Sequence, residues 1–179
     1  MKNYIALLRG INVSGKNSLK MAVLKQLATD LNLVNVQTYI QSGNLIFQSE
    51  ELDPTLLSQQ IHQAIFLELG LTIPILTFTV DSFKTILHQN PFAKTEEQEQ
   101  LYLTFFEAIP HSPNLEAIQA KKAAEELLHY SDSALYLVAA LGYGKTKLSN
   151  TFLENQLKVS ATTRNYKTCL KLIELVEMR

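Results

Sequence analysis

Two segments of this 179-residue chain set glycines beside basic side chains, in the way that phosphate-binding loops do. The first, Gly10-Ile11-Asn12-Val13-Ser14-Gly15, follows an apolar run and is succeeded by Lys16 and Lys20. A dinucleotide-binding loop needs a middle glycine so that the backbone can close on a pyrophosphate, and Asn12 stands at that place. No acidic residue lies between Asp30 and Glu50 to hold a ribose, and the strands that follow read as a hairpin instead of a parallel crossover. The second segment, Gly142-Tyr143-Gly144-Lys145-Thr146, ends like a Walker A loop. The glycine required five positions before Gly144 is Ala139, and the next helix is expected near Ser149, too late to aim its N-terminus at the loop. A nucleotide-hydrolysing loop is therefore not supported, while Lys145 and Lys147 retain the capacity to bind an anion more simply.

Other chemistries lack their residues. His62, His88, His111 and His129 are scattered without His-x-x-x-His spacing, there is no Cys-x-x-Cys pair, and no Gly-x-Ser-x-Gly elbow occurs. Cys169 falls on the apolar face of a helix, where an inert buried thiol is expected. Glu96, Glu97 and Glu99 read as a solvated linker. No pair of groups looks like a poised acid and base, so whether the protein is an enzyme is left open, and catalysis would have to rest on electrostatics or a bound metal. Neither a cofactor nor a metal site is assigned.

Composition narrows the class further. Sixteen basic and 17 acidic residues leave a net charge of −1, and a hydrophobic fraction of 46% excludes global disorder. This balance excludes a globally basic nucleic-acid binder, though not a local basic patch. No apolar run approaches the roughly 20 residues of a membrane-spanning helix, and the start shows no signal-peptide pattern. One cysteine allows no internal disulfide. A soluble cytoplasmic protein with no membrane partner is expected. The near-zero net charge hides an asymmetry: Lys2, Arg9, Lys16, Lys20 and Lys25 all precede the first acid, Asp30. Acids dominate from Glu50 to Glu126. Six basic residues (Lys145, Lys147, Lys158, Arg164, Lys167 and Lys171) then face Glu154 alone.

The elements that must position these residues follow from periodicity. Tyr4 to Leu8 is continuously apolar, as a strand buried on both faces requires. Leu24, Leu27, Ala28 and Leu31 share one helical face, with Ser18 as the expected N-cap. Val34 to Gln41 and Leu45 to Gln48 flank Ser42-Gly43-Asn44 as a hairpin, with Gly43 and Asn44 able to take positive φ. Asp53-Pro54 starts a helix, Gly70 stops it, and Ile73 to Val80 is the next strand. The order βαββαβ is ferredoxin-like. Its third strand, Leu45-Ile46-Phe47-Gln48, lacks the basic, glycine and aromatic pattern with which RNA-recognition sheets stack bases. Asp81 to His88 forms a short helix, and the polar stretch Lys94 to Gln100 reads as a linker. Beyond it a strand (Leu101 to Glu107), a helix (Asn114 to about Ala124) and two strands around Ser131-Asp132-Ser133 repeat the pattern. Helices over Asn150 to Leu157 and Asn165 to Glu177 finish the chain. In the last of these Tyr166, Cys169, Leu170, Ile173 and Val176 share a face. The expected division is an N-terminal ferredoxin-like subdomain, 1–93, and a C-terminal α+β subdomain, 94–179.

Five short motifs occur in order: Leu7-Leu8-Arg9-Gly10-Ile11-Asn12-Val13, Gly15-Lys16-Asn17, Tyr39-Ile40-Gln41-Ser42-Gly43-Asn44, Asn90-Pro91-Phe92 and Ala161-Thr162-Thr163-Arg164-Asn165. Together they resemble the mostly bacterial family called domain of unknown function 1697, across nearly the whole chain. The resemblance implies an α+β fold of two ferredoxin-like subdomains with antiparallel sheets, and no established activity. It carries the family's polar signature onto Arg9, Asn12, Lys16, Asn17, Gln41, Ser42 and Asn44, and onto Gly142, Gly144, Lys145, Lys147, Thr163, Arg164 and Asn165. Ser14 stands where the family commonly has glycine, and Tyr166 where it commonly has tryptophan.

Loop residues of these types suit binding better than packing. The expected function is binding of an anionic, phosphate-bearing small molecule in a basic cleft between the subdomains. Lys16, Lys20, Lys145, Lys147 and Arg164 would supply charge, and Asn12, Asn17, Ser42 and Asn44 directional hydrogen bonds. A nucleic-acid-binding module using the same basic face ranks second, and a scaffold protein with no small ligand third. A blander account also stands: Asn12 and Asn44 satisfying turn backbones, and Thr162 or Thr163 capping the last helix.

Overall fold

The computed structural model describes residues 1–13, 15–95 and 97–178. The chain divides into two compact units, Met1–Lys84 with Leu172–Arg179, and Thr85–Lys171.

In the first unit β1 (Lys2–Leu8), α1 (Met21–Asp30), β2 (Val34–Tyr39), β3 (Asn44–Ser49), α2 (Pro54–Leu69) and β4 (Ile75–Thr79) run in that order, followed by α3 (Val80–His88). The strands form one antiparallel sheet ordered β2-β3-β1-β4. The continuous apolar run of β1 is buried on both faces, Tyr4 to Leu8 having no exposed surface. Its alternate residues Tyr4, Ala6 and Leu8 join Leu24 and Ala28 of α1 and Leu57, Ile61 and Ile65 of α2 in one core. Tyr4 stacks on its cross-strand partner Phe47 at 5.7 Å.

Local signals place α2 as expected. The Asp53 carboxylate accepts from the Thr55 N–H, Pro54 opens the helix, and Gly70 closes it at φ +68°. Two local expectations give way to tertiary contacts. Ser18 does not cap α1; Lys20 occupies the cap position without a side-chain bond, because Leu19 is buried and its N–H is held by the Asn12 side-chain Oδ1. Strand β2 ends at Tyr39, short of the expected Gln41, while β3 begins at Asn44, one residue before the expected Leu45. Gly43 takes positive φ (+80°), but Asn44 is already extended in β3, and Ile40 is the second left-handed residue at φ +49°.

The second unit repeats the arrangement with β5 (Leu101–Phe106), α4 (Leu115–Lys121), β6 (Leu127–Tyr130), β7 (Ala134–Val138), α5 (Asn150–Leu157) and β8 (Ala161–Asn165), and α6 (Tyr166–Glu177) follows. Its antiparallel order β6-β7-β5-β8 is that of the first sheet. The fold is thus α+β, with two ferredoxin-like subdomains. Strand β8 is a correction to the sequence reading. Ala161-Thr162-Thr163-Arg164-Asn165 has no apolar alternation, and Thr162 and Thr163 are strand residues, not helix caps. Pairing with β5 supplies what the pattern lacks, with the Thr104 and Thr163 hydroxyls bonded at 2.8 Å. In α6 the fully covered positions are Tyr166, Cys169, Leu172 and Val176, so Leu172 replaces Leu170 and Ile173 on the buried stripe. No helix among the described residues is long and apolar enough to cross a membrane.

Candidate anion-binding loops

The segment between β1 and α1 is built from left-handed residues tied down by asparagine amides. Asn12 (φ +55°) donates through Nδ2 to the Leu19 and Gln41 carbonyls, both at 2.9 Å, and accepts from the Leu19 N–H through Oδ1. Asn17 (φ +49°) donates to the Gly10 carbonyl at 3.0 Å, and the Asn17 carbonyl accepts from the Asn12 N–H. Val13 and Lys16 form a small antiparallel bridge. Ser14 lies outside the described residues, as does Glu96 of the expected linker.

The turn of the β2–β3 hairpin is fastened to this loop. The Leu8 N–H donates to the Gly43 carbonyl at 2.8 Å, and buried Asn44 donates to the Tyr39 carbonyl and the Ser42 hydroxyl. Gly43 has no alternative: a Cβ there would sit 2.7 Å from both Ile11 Cδ1 and Leu8 Cβ. The fold therefore gathers Arg9, Asn12, Lys16, Asn17, Gln41, Ser42 and Asn44 into one cluster of loops. Its asparagines point their amides at backbone groups, which makes them braces. Gln41 contributes its carbonyl and Ser42 its hydroxyl to the same bracing. Lys16 and Lys20 are exposed, and Arg9 is half-buried. A shallow groove of about 670 Å³ in this unit, lined by Lys25, Asn35, Val36 and Gln37, includes none of these cluster residues.

In the second unit the loop after β7 is braced by different means. Gly142 turns at φ +89° and leads into a short 3-10 turn, Tyr143–Lys145. Tyr143 stacks on Tyr102 with ring centroids 4.5 Å apart. Burial raises the Tyr143 pKa above the ordinary tyrosine value, so the hydroxyl stays neutral at physiological pH. Thr163 also donates to Asn150 Oδ1 at 3.0 Å, and Asn150 Nδ2 donates to the Ala161 carbonyl. Thr104, Tyr143 and Asn150 are participants that the sequence reading did not single out; a tyrosine between two loop glycines was the one available hint.

Lys145 and Lys147 are exposed on this loop, whereas Arg164 is 7% exposed. Its guanidinium Nη1 donates to the Thr162 hydroxyl and the Thr163 carbonyl, both at 2.9 Å. Burial lowers its pKa from 12.5 to about 10, leaving it charged at neutral pH in low-dielectric surroundings. Asn165 donates to the Glu99 carbonyl and accepts from the Lys167 N–H. Among the described residues no group of three or more His, Cys, Asp or Glu is placed to hold a metal ion.

The conserved bacterial protein SP0830 from Streptococcus pneumoniae has a similar structure, with a TM-score of 0.75, 23% identity and 97% of each chain covered. At that identity the likeness is one of fold. No curated protein matches the sequence. Residues 1–136 match DUF1697, described as a protein of unknown function. With about three quarters of its length in that match, and with the left-handed asparagine loop and its partner hairpin inside the matched region, the chain belongs to the DUF1697 family.

Proposed function

We propose that this protein binds an anionic, phosphate-bearing small ligand through the exposed lysines of its two glycine-containing loops. Lys16 and Lys20 serve in subdomain 1–93, and Lys145 and Lys147 in subdomain 94–179. The observation that supports this reading is the state of those four side chains. Among the described residues none of them has an ion-pair or side-chain hydrogen-bond partner, whereas Lys84 is paired with Glu177 and Lys167 with Glu99. Unneutralised lysines on loops held in shape by internal bonds are preorganised for an anion, since little ordering is needed at the moment of binding. In this reading Asn12, Asn17, Gln41, Ser42 and Asn44 shape the first loop and leave Arg9 to reinforce its charge. Thr163, Arg164 and Asn165 fix the strand on which the second loop rests.

A thermal-shift screen with inorganic phosphate, pyrophosphate, nucleotides and sugar phosphates tests the reading, with sulfate as control. At 100 times its dissociation constant a ligand stabilises by about 2.7 kcal/mol, a melting shift of roughly 5–10 °C for a chain this size. Lys16→Ala and Lys145→Ala should each diminish the shift. If no anion exceeds sulfate, small-ligand binding is wrong. A steep decline of oligonucleotide affinity with salt would put the nucleic-acid reading first, because contacts to several phosphates release several counterions.

A further inference from the structure

Among the described residues Asn12, Asn17, Asn32, Asn35, Ile40 and Lys158 are the non-glycine residues with positive φ. Four are asparagines, whose short amide tolerates the left-handed region, and Lys158 is the C-cap of α5. Ile40, at φ +49°, has neither excuse, and a β-branched side chain there is strained. Core packing does not account for it, because Ile40 is 47% exposed. Its conformation is imposed by its neighbours: the carbonyls of Tyr39, Gln41 and Gly43 accept from Asn44, Asn12 and Leu8 respectively. Asparagine or glycine would meet the same backbone demand with less strain, so the backbone gives no reason for an apolar side chain here.

A second observation concerns the same place. Val13 is 59% exposed and follows Asn12, whose amide bonds Gln41, the residue after Ile40. Two exposed β-branched residues thus each neighbour, along the chain, one partner of the Asn12–Gln41 hydrogen bond in the loop cluster that carries Lys16.

We propose that Ile40, together with Val13 of the same loop cluster, contacts the apolar part of the ligand, so that the loops select a phosphate monoester bearing an aromatic or branched hydrocarbon group over phosphate alone. This specificity rests on the anion-binding reading above and adds to it. Apolar area removed from water is the driving force, and covering half of an isoleucine is enough for roughly a tenfold preference.

The test compares two probes of equal charge, phenyl phosphate and methyl phosphate, by calorimetric titration of the full chain. Wild type should bind phenyl phosphate about tenfold more tightly. Ile40→Asn should bring the two affinities within about twofold, while its melting temperature without ligand equals or exceeds that of wild type. Val13→Ser, which leaves the hairpin turn untouched, should reduce the preference in the same direction. Equal affinity of wild type for both probes, or an undiminished preference in both variants, overturns the specificity and leaves anion binding standing. Failure of both probes to bind also overturns the specificity, and the thermal-shift screen with nucleotides and sugar phosphates then decides anion binding separately.

Discussion

The loop after β1 and the loop after β7 both combine glycine with lysine, yet they are not copies of one another. In the duplicated topology the loop 9–20 follows the first strand of its sheet, and 139–149 follows the third strand of the other. First and third strands are antiparallel, so the two loops leave from opposite ends of equivalent sheets. The true counterpart of 139–149 in the first unit is the tight acidic link Glu50-Glu51-Leu52-Asp53, with no lysine at all. Their construction differs too. The first loop is held by side-chain amides acting on left-handed backbone, and the second by an aromatic stack and threonine hydroxyls from a neighbouring strand. Duplicating a fold duplicates its layers; charge and ligand chemistry belong to the loops and are placed independently.

A pair of glycine substitutions should separate the two loops by the largest margin. Gly43→Ala adds a Cβ into Ile11 and Leu8 as well as backbone strain, and should destabilise by about 3 kcal/mol. Gly142→Ala meets open space at a similar φ and should cost only about 1 kcal/mol. Equal losses, read by chemical denaturation, would show that both loops are constrained alike.

Next in size are the braces. Asn12→Ala removes three hydrogen bonds and a residue suited to positive φ, for a loss of about 2 kcal/mol. Thr163→Val keeps the shape but severs the links to Thr104 and Asn150, for about 1 kcal/mol.

A smaller effect should appear with pH. Burial pushes the Cys169 thiol from 9.0 up to about 12, so its contribution is complete below pH 9 and is lost as pH rises, because the unfolded chain releases the proton first. Between pH 9 and 10 wild type should lose about 1 kcal/mol relative to Cys169→Ala. Buried Arg164 pulls the other way only above about pH 10, where its folded form starts to release its proton before the unfolded one. Thiol reagents should label Cys169 slowly in the native state and quickly after denaturation, since the residue has no exposed surface. Rapid native labelling would contradict its burial.

The smallest expected change is that of the unpaired lysines. Lys16→Ala and Lys145→Ala should alter stability without ligand by less than about 0.5 kcal/mol, because neither side chain holds the fold. A larger loss would make them structural and weaken the proposed function.

Much of the scaffold was legible from local chemistry. Asp53, Pro54 and Gly70 delimit α2, Asn114 caps α4, and the apolar run Tyr4 to Leu8 identifies a central strand, because each signal acts within a few residues. The loops were legible only as composition. Arg9, Lys16 and Gln41 were found only as types; for Asn12 and Asn44 the sequence offered turn-backbone bonding beside ligand binding, and the fold realises the bonding.

Short-range signals (propensity, capping and periodicity) were enough for every strand and α-helix except β8, for most helix limits and for the segregation of basic from acidic stretches. Tertiary structure alone decided the rest. Asn12 became a brace through a carbonyl 29 residues away, and β8 became a strand by pairing with β5, where Thr163 lies opposite Thr104, 59 residues away. Ile40 became left-handed because its neighbours were already bonded to β1 and its loop. A polar side chain in a sequence can bond many partners, and the fold fixes the conformation by choosing which one comes within reach.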